Sequence, residues 1–381
     1  MAKLIIIIIT SVLFIYITTQ EKFIEIIDNH HGCSLYLDVF IGQPKQGSTL
    51  EINTNKITSF IDGKLFNHTL SKSGTLLEKV PQIIEGRVQN TIKYSDTISF
   101  ENDIIIDNFL LYIVNDTLYL SERDKNIAFG YSFNDTAFSL IHMLYQKQLI
   151  SHKKFGFVFT YYRGWIQKNI FLGSIPLDRL TGYQYHTSLD VKHKQIGWNV
   201  CMKKVKINNN YLYLTNTVVI INTVQFYTIF NNEIFDLLCA TTLSPYLQNK
   251  KCERFDKISH SYVRCYDQDI MDNLGMITFY FDNDQVINMN IKLFFRFLTP
   301  YYLCYIGRDN ENQDTFEVGI EFLQKFNVTE FDYENGKIHL YSNTFSFDKE
   351  YNSLITTITL CVSLMCLCMC IFIYISKRIN L

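Results

Sequence analysis

Two short polar pairs, each at the end of an apolar run, are the residues of this chain best placed to form a chemical site. Asn53 and Thr54 follow Leu-Glu-Ile at residues 50–52, and Asn222 and Thr223 follow Val-Ile-Ile at residues 219–221. Buried strands that end in such pairs would deliver four polar side chains to a site. An asparagine amide donates and accepts hydrogen bonds, but it has no proton that titrates near neutral pH. It cannot act as a general acid or base.

The sequence before the first pair resembles the opening of the pepsin-like aspartic proteases. Residues 41–46 read Ile-Gly-Gln-Pro-Lys-Gln, and the Asn-Thr pair follows after six more residues. In that family an Ile-Gly-x-Pro-x-Gln turn leads to Asp-Thr-Gly-Ser, and a second Asp-Thr-Gly lies in the other half of the chain. The resemblance implies that Asn53 and Asn222 occupy the positions of the two catalytic aspartates.

The double replacement of Asp by Asn determines the functional interpretation. The family reaction needs two carboxyls about 3 Å apart that share one proton. Asn55 and Val224 also replace the glycines that let the two loops approach in the family, whereas Thr54 and Thr223 are retained and, in the family, cross-brace those loops. The resemblance therefore implies a protein that keeps the structure and has lost the hydrolysis.

A third segment resembles the flap hairpin that covers the cleft in this family. Residues 83–98 match the flap and the strand after it, with Gly86 at the glycine of the turn. The family tyrosine that positions substrate falls on Ile83 or Ile84, depending on a one-residue gap. An isoleucine has no hydroxyl to position substrate or water. Lys56, next to the first loop, would favour an acidic ligand if it faces the site, and a solvated lysine at the rim is the alternative.

Short strands separated by turn signals predict an all-β fold. Further pieces of the family pattern occur in the right order up to about residue 343, including a hydrophobic-hydrophobic-Gly element in each half. We expect a bilobal pepsin-like fold with an N-terminal lobe at 33–189 and a C-terminal lobe at 190–346. Residues 20–32 read as a short lead with no room for the propeptide that the family uses.

Composition excludes several classes of function. The formal net charge is −2 and charged residues make up 19% of the 381, so nothing favours a nucleic-acid partner. No Cys or His spacing suggests zinc, and no phosphate-binding glycine loop occurs. We expect no metal and no cofactor, and an extended peptide or a protein as the cleft ligand.

Both ends of the chain read as membrane signals. Residues 1–19 carry a basic residue, a short apolar run and small residues, which predicts a signal peptide, with an uncleaved anchor as the alternative. Residues 354–375 hold no charged side chain and are long enough for one transmembrane helix. Lys377 and Arg378 follow, so the tail at 376–381 is predicted to be cytoplasmic and the body lumenal or extracellular, as in a single-pass type I membrane protein.

The body has six cysteines, an even number in an oxidising compartment, which predicts three disulfides. The resemblance implies Cys265 with Cys304. Cys239 and Cys252 are close enough in sequence to pair locally, which leaves Cys33 with Cys201. Four Asn-x-Thr sequons predict glycan sites on surface loops, at Asn67, Asn115, Asn134 and Asn327.

Three functions stay open at the level of sequence. The first is a membrane-anchored, catalytically inactive pepsin-like homologue, a pseudoprotease, whose cleft binds a peptide or protein. The second is an active aspartic-type endopeptidase, against which the two asparagines argue. The third is a surface glycoprotein that makes its contacts through outer loops.

Overall fold

The structure is a computed structural model. It describes residues 22–28, 34–84, 87–100, 104–114, 125–132, 139–162, 165–192, 196–224, 228–256, 260–266, 268–295, 306–309 and 315–343.

Strands dominate the described part of the chain. In chain order they are β1 (Ile24–Asp28), β2 (Tyr36–Ile41), β3 (Gln46–Asn53), β4 (Phe60–Asp62), β5 (Thr75–Ile84), β6 (Arg87–Ser99), β7 (Ile105–Val114), β8 (Asn126–Ala128), β9 (Lys154–Tyr162), β10 (Trp165–Leu172), β11 (Tyr183–Asp190), β12 (Trp198–Ile207), β13 (Asn210–Ile221), β14 (Ile229–Phe230), β15 (Cys252–Asp256), β16 (His260–Cys265), β17 (Met276–Phe281), β18 (Val286–Asn290), β19 (Ile306–Asp309), β20 (Thr315–Val318), β21 (Val328–Asp332) and β22 (Lys337–Asn343).

The described α-helices are short. They are α1 (Leu140–Gln146), α2 (Asn232–Leu238), α3 (Ser244–Gln248), α4 (Gln268–Asp272) and α5 (Ile320–Gln324). A π-helical turn, Cys239–Leu243, joins α2 to α3. The helix α2 begins at Asn231, whose side-chain oxygen accepts a hydrogen bond from the Ile234 N–H at 3.0 Å, as expected of an N-cap.

The strands form where apolar residues alternate with polar ones. In β17, Ile277, Phe279 and Phe281 are buried, while the residues between them are exposed or half-buried. This period of two turns one face of the strand to the core and the other outward. The prediction of an all-β fold is confirmed.

The described strands form three sheets. Seven make an N-terminal sheet in the order β2-β3-β8-β4-β7-β6-β5, and nine make a C-terminal sheet in the order β15-β16-β19-β14-β20-β13-β12-β17-β18. The third sheet, β1-β10-β9-β21-β22-β11, takes four strands from the first half of the chain and two, β21 and β22, from the second. It joins the two lobes, which is why no linker-like sequence separates them.

The two lobes repeat one arrangement of four strands. In the first lobe, β3 runs parallel to β8, and β4 pairs with β7 in parallel and with β8 in antiparallel fashion. In the second lobe, β13 runs parallel to β20, and β14 pairs with β19 in parallel and with β20 in antiparallel fashion. Each Asn-Thr pair therefore follows an equivalent strand, β3 or β13. In both lobes the neighbouring parallel strand, β8 or β20, leads to a glycine.

The lead at residues 20–32 contains a strand that the sequence did not indicate. Strand β1 pairs with β10 along its whole length, from Ile24 opposite Leu172 to Asp28 opposite Lys168. Lys168 and Asp28 form an ion pair of 3.0 Å that is almost completely buried. The first described residues are thus built into the sheet between the lobes.

An aromatic cluster fills the core above this sheet. The Phe155 and Phe331 rings stack at 4.5 Å, and the Trp198 ring meets Phe331 edge-on at 4.9 Å. All three side chains are buried. Phe155 and Phe331 come from opposite halves of the chain, so the core is shared by the lobes.

The disulfide prediction is wrong for the central pair of cysteines. Cys252 is bonded to Cys265, its direct neighbour across β15 and β16. This excludes the predicted bonds of Cys239 to Cys252 and of Cys265 to Cys304. The sequence did not indicate that β15 and β16 form a hairpin, and it is this register that brings the two sulfurs together. Cys33 and Cys304 lie outside the described residues, so the pairing of Cys33 with Cys201 stays a prediction.

No helix in the described ranges is long and apolar enough to cross a membrane. The predicted signal peptide at 1–19, the transmembrane segment at 354–375 and the tail at 376–381 all lie outside those ranges.

Candidate active site

The two Asn-Thr loops are hydrogen-bonded to each other through their threonines. The Thr54 N–H donates to Thr223 Oγ1 at 3.2 Å, and the Thr223 N–H donates to Thr54 Oγ1 at 3.1 Å. The Thr54 hydroxyl donates to the Ile221 carbonyl at 2.8 Å, and the Thr223 hydroxyl donates to the Ile52 carbonyl at 2.5 Å. Both threonines are fully buried. Four reciprocal bonds therefore hold the ends of β3 and β13 side by side.

The same loops orient the two asparagine amides. The Asn55 N–H donates to Asn53 Oδ1 at 2.9 Å, and the Val224 N–H donates to Asn222 Oδ1 at 3.2 Å. Because each Oδ1 accepts from a backbone donor, each Nδ2 is the atom left to donate to other partners. Asn53 is buried and Asn222 is half-buried.

Close packing around Asn55 shows how the first loop accommodates a residue larger than glycine. Gly197 has φ +92°, and a Cβ at that position would lie 2.4 Å from Asn55 Oδ1. Gly130 donates its N–H to the Lys56 carbonyl at 2.6 Å, and a Cβ there would lie 2.4 Å from that oxygen. Two glycines on neighbouring segments thus make room for the Asn55–Lys56 turn. The Lys56 side chain is exposed.

Hydrogen bonds through Phe129 support the first loop. The Phe129 N–H donates to the Asn53 carbonyl at 2.9 Å. The Phe129 carbonyl in turn accepts from Trp198 Nε1 at 2.8 Å and from the Tyr333 hydroxyl at 2.7 Å. Burial raises the pKa of Tyr333 far above its ordinary value, so this hydroxyl stays a donor. The sequence did not single out Tyr333, which lies 204 positions from its acceptor.

A carboxylate contacts the second asparagine. Asn222 Nδ2 donates to Glu317 Oε1. Glu317 lies in β20, directly beside Ile220 of β13, and it is half-buried while Phe316 and Val318 are in the core. In the second half of the chain, residues 317–319 resemble the hydrophobic-hydrophobic-Gly element of the pepsin-like family. The signal that could have identified this contact is Glu317 itself, a charged residue at a position where that element has an apolar one.

The predicted flap is a long antiparallel hairpin. Strands β5 and β6 pair from Thr75 opposite Ser95 to Ile84 opposite Arg87. Gly86 lies outside the described residues, as do the side chains of Ile83 and Ile84, so their predicted role over the cleft stays a prediction. Tyr94 lies near the base of the hairpin, where it is buried and donates to the His68 carbonyl at 3.1 Å.

A solved structure has an architecture similar to that of this chain. The aspartic proteinase from Irpex lacteus superimposes with a TM-score of 0.67 over 85% of this chain and 98% of its own, at 12% sequence identity. This chain has a pepsin-like fold. At this identity the likeness concerns the pepsin-like fold and not the activity. No protein-family model and no curated protein sequence matches the chain.

Two of the predicted glycan sites of this pepsin-like chain are described. Asn67 is exposed and caps a 3-10 turn, and its Oδ1 accepts from the Thr69 hydroxyl at 2.7 Å, so both side chains of that sequon adjoin each other at the surface. Asn327 is half-buried, at φ +40°. Asn115 and Asn134 lie outside the described residues.

The chemistry of the site follows from its atoms. Two amides supply N–H donors, and the Glu317 carboxylate, which accepts from Asn222, supplies acceptors. Neither amide can take a proton from water or give one to a scissile carbonyl. The arrangement is suited to hydrogen-bonding a ligand. No group of three or more potential metal ligands occurs among the residues that the structure describes.

Proposed function

We propose that this protein is a catalytically inactive pepsin-like homologue whose cleft binds an extended peptide or protein segment. The observation that carries the proposal is the orientation of the two amides. Asn53 and Asn222 are held by the loop N–H groups of Asn55 and Val224. The loops are intact, and the groups that they hold cannot transfer protons.

Replacing both carboxyls greatly lowers the rate expected for peptide hydrolysis. General acid–base assistance contributes about 10²–10⁴ in rate, and here both partners are replaced. The hydrogen bonds between the threonines, by contrast, keep the loops in register. A rigid site with amide N–H donors can bind the carbonyl groups of an extended chain, in the manner of strand addition.

An active endopeptidase is the second candidate, because Glu317 brings one carboxyl to Asn222. The family reaction needs two carboxyls that share one proton, one of which protonates the scissile carbonyl, and both loop positions that hold this pair in the family carry amides here.

Measuring peptide cleavage by the purified body of the protein, without residues 1–19 and 354–381, distinguishes the inactive homologue from the active endopeptidase. A diverse peptide library is incubated with it at pH 3 to 7, with and without pepstatin, beside an active aspartic proteinase as the positive control. We expect no cleavage by this protein, and retention of a subset of peptides in a binding screen. Pepstatin-sensitive cleavage would overturn the proposal.

We further propose that the body is anchored as a single-pass type I membrane protein, on the sequence of residues 1–19 and 354–381. The full chain expressed in cells should resist alkaline extraction from membranes, and the same chain ended after residue 346 should be secreted. Retention of the shortened chain in the membrane would contradict the C-terminal anchor.

Glycan at Asn67 should disappear in the Asn67→Gln variant, which provides a marker of the lumenal location. A chain without any glycan would argue against the third possibility, a surface glycoprotein.

A further inference from the structure

One face of the second-lobe sheet presents lysines and tyrosines in adjacent positions. Lys204 and Lys206 lie on β12 with Tyr213 and Tyr211 opposite them on β13, and Tyr280 of β17 lies on the other side of Lys204. We propose that these five residues, the Tyr-Lys face, bind a linear anionic glycan whose sugar rings carry sulfate or carboxylate groups. Binding there would not depend on the proposed binding of peptides by the Asn-Thr loops.

The Tyr-Lys face lies directly on the core of the lobe. The residues that alternate with it along β12 and β17, namely Val205, Ile207 and Phe279, are fully buried. Tyr211 and Tyr213, by contrast, are 50% and 75% exposed. This period of two directs the lysines and tyrosines away from the core, and the packing beneath them fixes the backbone that carries them.

Each lysine lies against aromatic rings. Lys204 Nζ is 4.3 Å from the centre of the Tyr280 ring and 5.9 Å from that of the Tyr213 ring. Lys206 Nζ is 5.4 Å from the centre of the Tyr211 ring. These cation–π contacts orient the ammonium groups, but a ring carries no net charge that would neutralise them. Among the described residues, no carboxylate pairs with either lysine, so both keep N–H donors for an anionic ligand.

An amide extends the face on the next strands. Thr278 of β17 lies beside Lys206, and Asn288 of β18 lies beside Thr278. The Thr278 hydroxyl donates to Asn288 Oδ1 at 2.7 Å, so Asn288 Nδ2 is left to donate to another partner. Asn288 is exposed. Two charged donors thus lie near an uncharged donor that is suited to a sugar hydroxyl.

An anionic glycan combines the two properties that this face would recognise. Its sulfate or carboxylate groups accept charge-assisted hydrogen bonds from ammonium groups. The C–H groups on one side of a sugar ring carry a small positive charge and pack against the negative face of an aromatic ring. Lys204 and Lys206 are two residues apart on one strand, about 7 Å, so one linear chain can contact both. A run of acidic residues in a peptide supplies the charge but no ring C–H surface.

Binding of a heparin decasaccharide to the purified full chain, in a nonionic detergent, tests the proposal. The lysine variant combines Lys204→Gln with Lys206→Gln. Its matched control combines Lys64→Gln with Lys250→Gln, at two exposed lysines outside the Tyr-Lys face, so both proteins lose the same charge. We expect the lysine variant to bind at least about tenfold more weakly than the wild type, and the control to bind within about twofold of it.

The contribution of the rings is measured with Tyr211→Ser combined with Tyr213→Ser, which keeps both charges. An oligoglutamate of equal charge and an uncharged dextran decasaccharide are the comparison ligands. We expect this tyrosine variant to bind heparin at least about fivefold more weakly than the wild type, and to bind oligoglutamate as the wild type does. The wild type should bind heparin at least about tenfold more tightly than either comparison ligand. An unchanged melting temperature shows that each variant is folded.

Four results would overturn the proposal. The first is no binding of heparin by the wild type. The second is an equal loss in the lysine variant and its control, which would assign binding to general charge attraction. The third is oligoglutamate bound as tightly as heparin, which would favour an acidic polypeptide as the partner. The fourth is full heparin affinity in the tyrosine variant, which would show that the rings do not contact the ligand. None of these results would affect peptide binding by the Asn-Thr loops.

Discussion

Asparagine differs from aspartate by an amino group in place of one oxygen. In the two loops this exchange changes the hydrogen bonds that the side chain can make. At each loop the side-chain oxygen accepts the N–H of the residue two positions on. An aspartate would use one oxygen in the same way and offer the other to water. Asparagine offers an N–H there instead. The loop geometry therefore persists, while the second polar atom of each side chain changes from an acceptor into a donor.

Restoring the two aspartates should not restore the enzyme. For Asn53→Asp combined with Asn222→Asp, we expect peptide cleavage less than about tenfold above the background measured with the wild type, far below the 10²–10⁴ that acid–base assistance can provide. Asn55 and Val224 stand in place of the family glycines, and Asn222→Asp would place its carboxyl against Glu317.

Cleavage at pH 3 to 7 with and without pepstatin measures this gain, with the same pair combined with Glu317→Gln as the companion variant. A pepstatin-sensitive gain above about a hundredfold in either would show that the loop substitutions matter little.

The threonine hydrogen bonds should carry measurable stability. Thr54→Val keeps the side-chain shape but leaves the Thr223 N–H and the Ile221 carbonyl without this partner in a buried site. We expect the free energy of unfolding to fall by about 2–4 kcal/mol, measured by chemical denaturation. Thr54→Ser, which keeps the hydroxyl, should lose clearly less. Equal losses in the two variants would mean that the methyl group, and not the hydrogen bonds, supports the loops.

Among the elements, the sheet that joins the lobes contains a charged cluster whose two carboxylates are buried. Lys154 of β9 lies 3.1 Å from both Glu330 and Asp332 of β21, and His339 of β22 lies 3.6 Å from Asp332. Burial raises the pKa of Asp332, but hydrogen bonds from His339 and Asn335 and the charge of Lys154 outweigh it and hold this pKa well below its usual range.

This depressed pKa predicts how stability depends on pH. Asp332 binds protons more readily in the unfolded chain, so its contribution is complete above the unfolded pKa, about 3.9, and is lost as the pH falls towards the lower folded pKa. At pH 7, Asp332→Asn should lower the free energy of unfolding by about 2–3 kcal/mol. The difference from the wild type should shrink as the pH falls below about 4.

Denaturation curves at a series of pH values between 2.5 and 7 test this prediction. Asp107→Asn is the matched control, since its ion pair with Lys147 is exposed and should contribute less than about 1 kcal/mol. A difference for Asp332→Asn that stays constant with pH would show that the carboxylate is not the stabilising form.

The sequence predicted the order of the strands and helices more accurately than the contacts between them. Alternating runs predicted the strands, and the resemblance implied the bonds between Thr54 and Thr223, because the motifs around them are local. The disulfide between Cys252 and Cys265 and the contact of Glu317 with Asn222 depend on register between strands. Register is decided by packing across the sheet, which no short motif encodes.

For β1 the signal was weak for a different reason. Residues 24–28 read Ile-Glu-Ile-Ile-Asp, a pattern of apolar and polar residues that a lead segment can also show. What fixes it as a strand is the partner of Asp28, Lys168, far along the chain in β10. A lysine within a strand does not by itself indicate a buried ion pair.

On the scale of the whole molecule, the ion pair between Asp28 and Lys168 should anchor the N-terminal segment. Lys168 Nζ also donates to the Ser34 carbonyl at 2.6 Å, and Asp28 accepts the Tyr36 N–H at 3.1 Å. Asp28→Asn leaves a buried ammonium without its counter-charge, so we expect a loss of about 3–5 kcal/mol in the free energy of unfolding.

The control is Glu25→Gln, which weakens the more exposed ion pair of β1 with Arg179 and should cost less than about 1 kcal/mol. Amide hydrogen exchange locates the effect, and we expect faster exchange in β1 and β10 for Asp28→Asn. Stability within about 1 kcal/mol of the wild type would show that the buried pair is dispensable.

The pairing of β9 with β21 has a consequence for the order of events during synthesis. Lys154 and Glu330 are 176 positions apart, and the Phe155 and Phe331 rings between these strands stack only when both halves exist. Contacts this distant in sequence form slowly, since a long loop must close first. While the ribosome is still making the second lobe, β9 has an open edge and uncovered phenylalanines. The half-made chain is then at its most prone to aggregate, and this is the stage at which a chaperone would be needed.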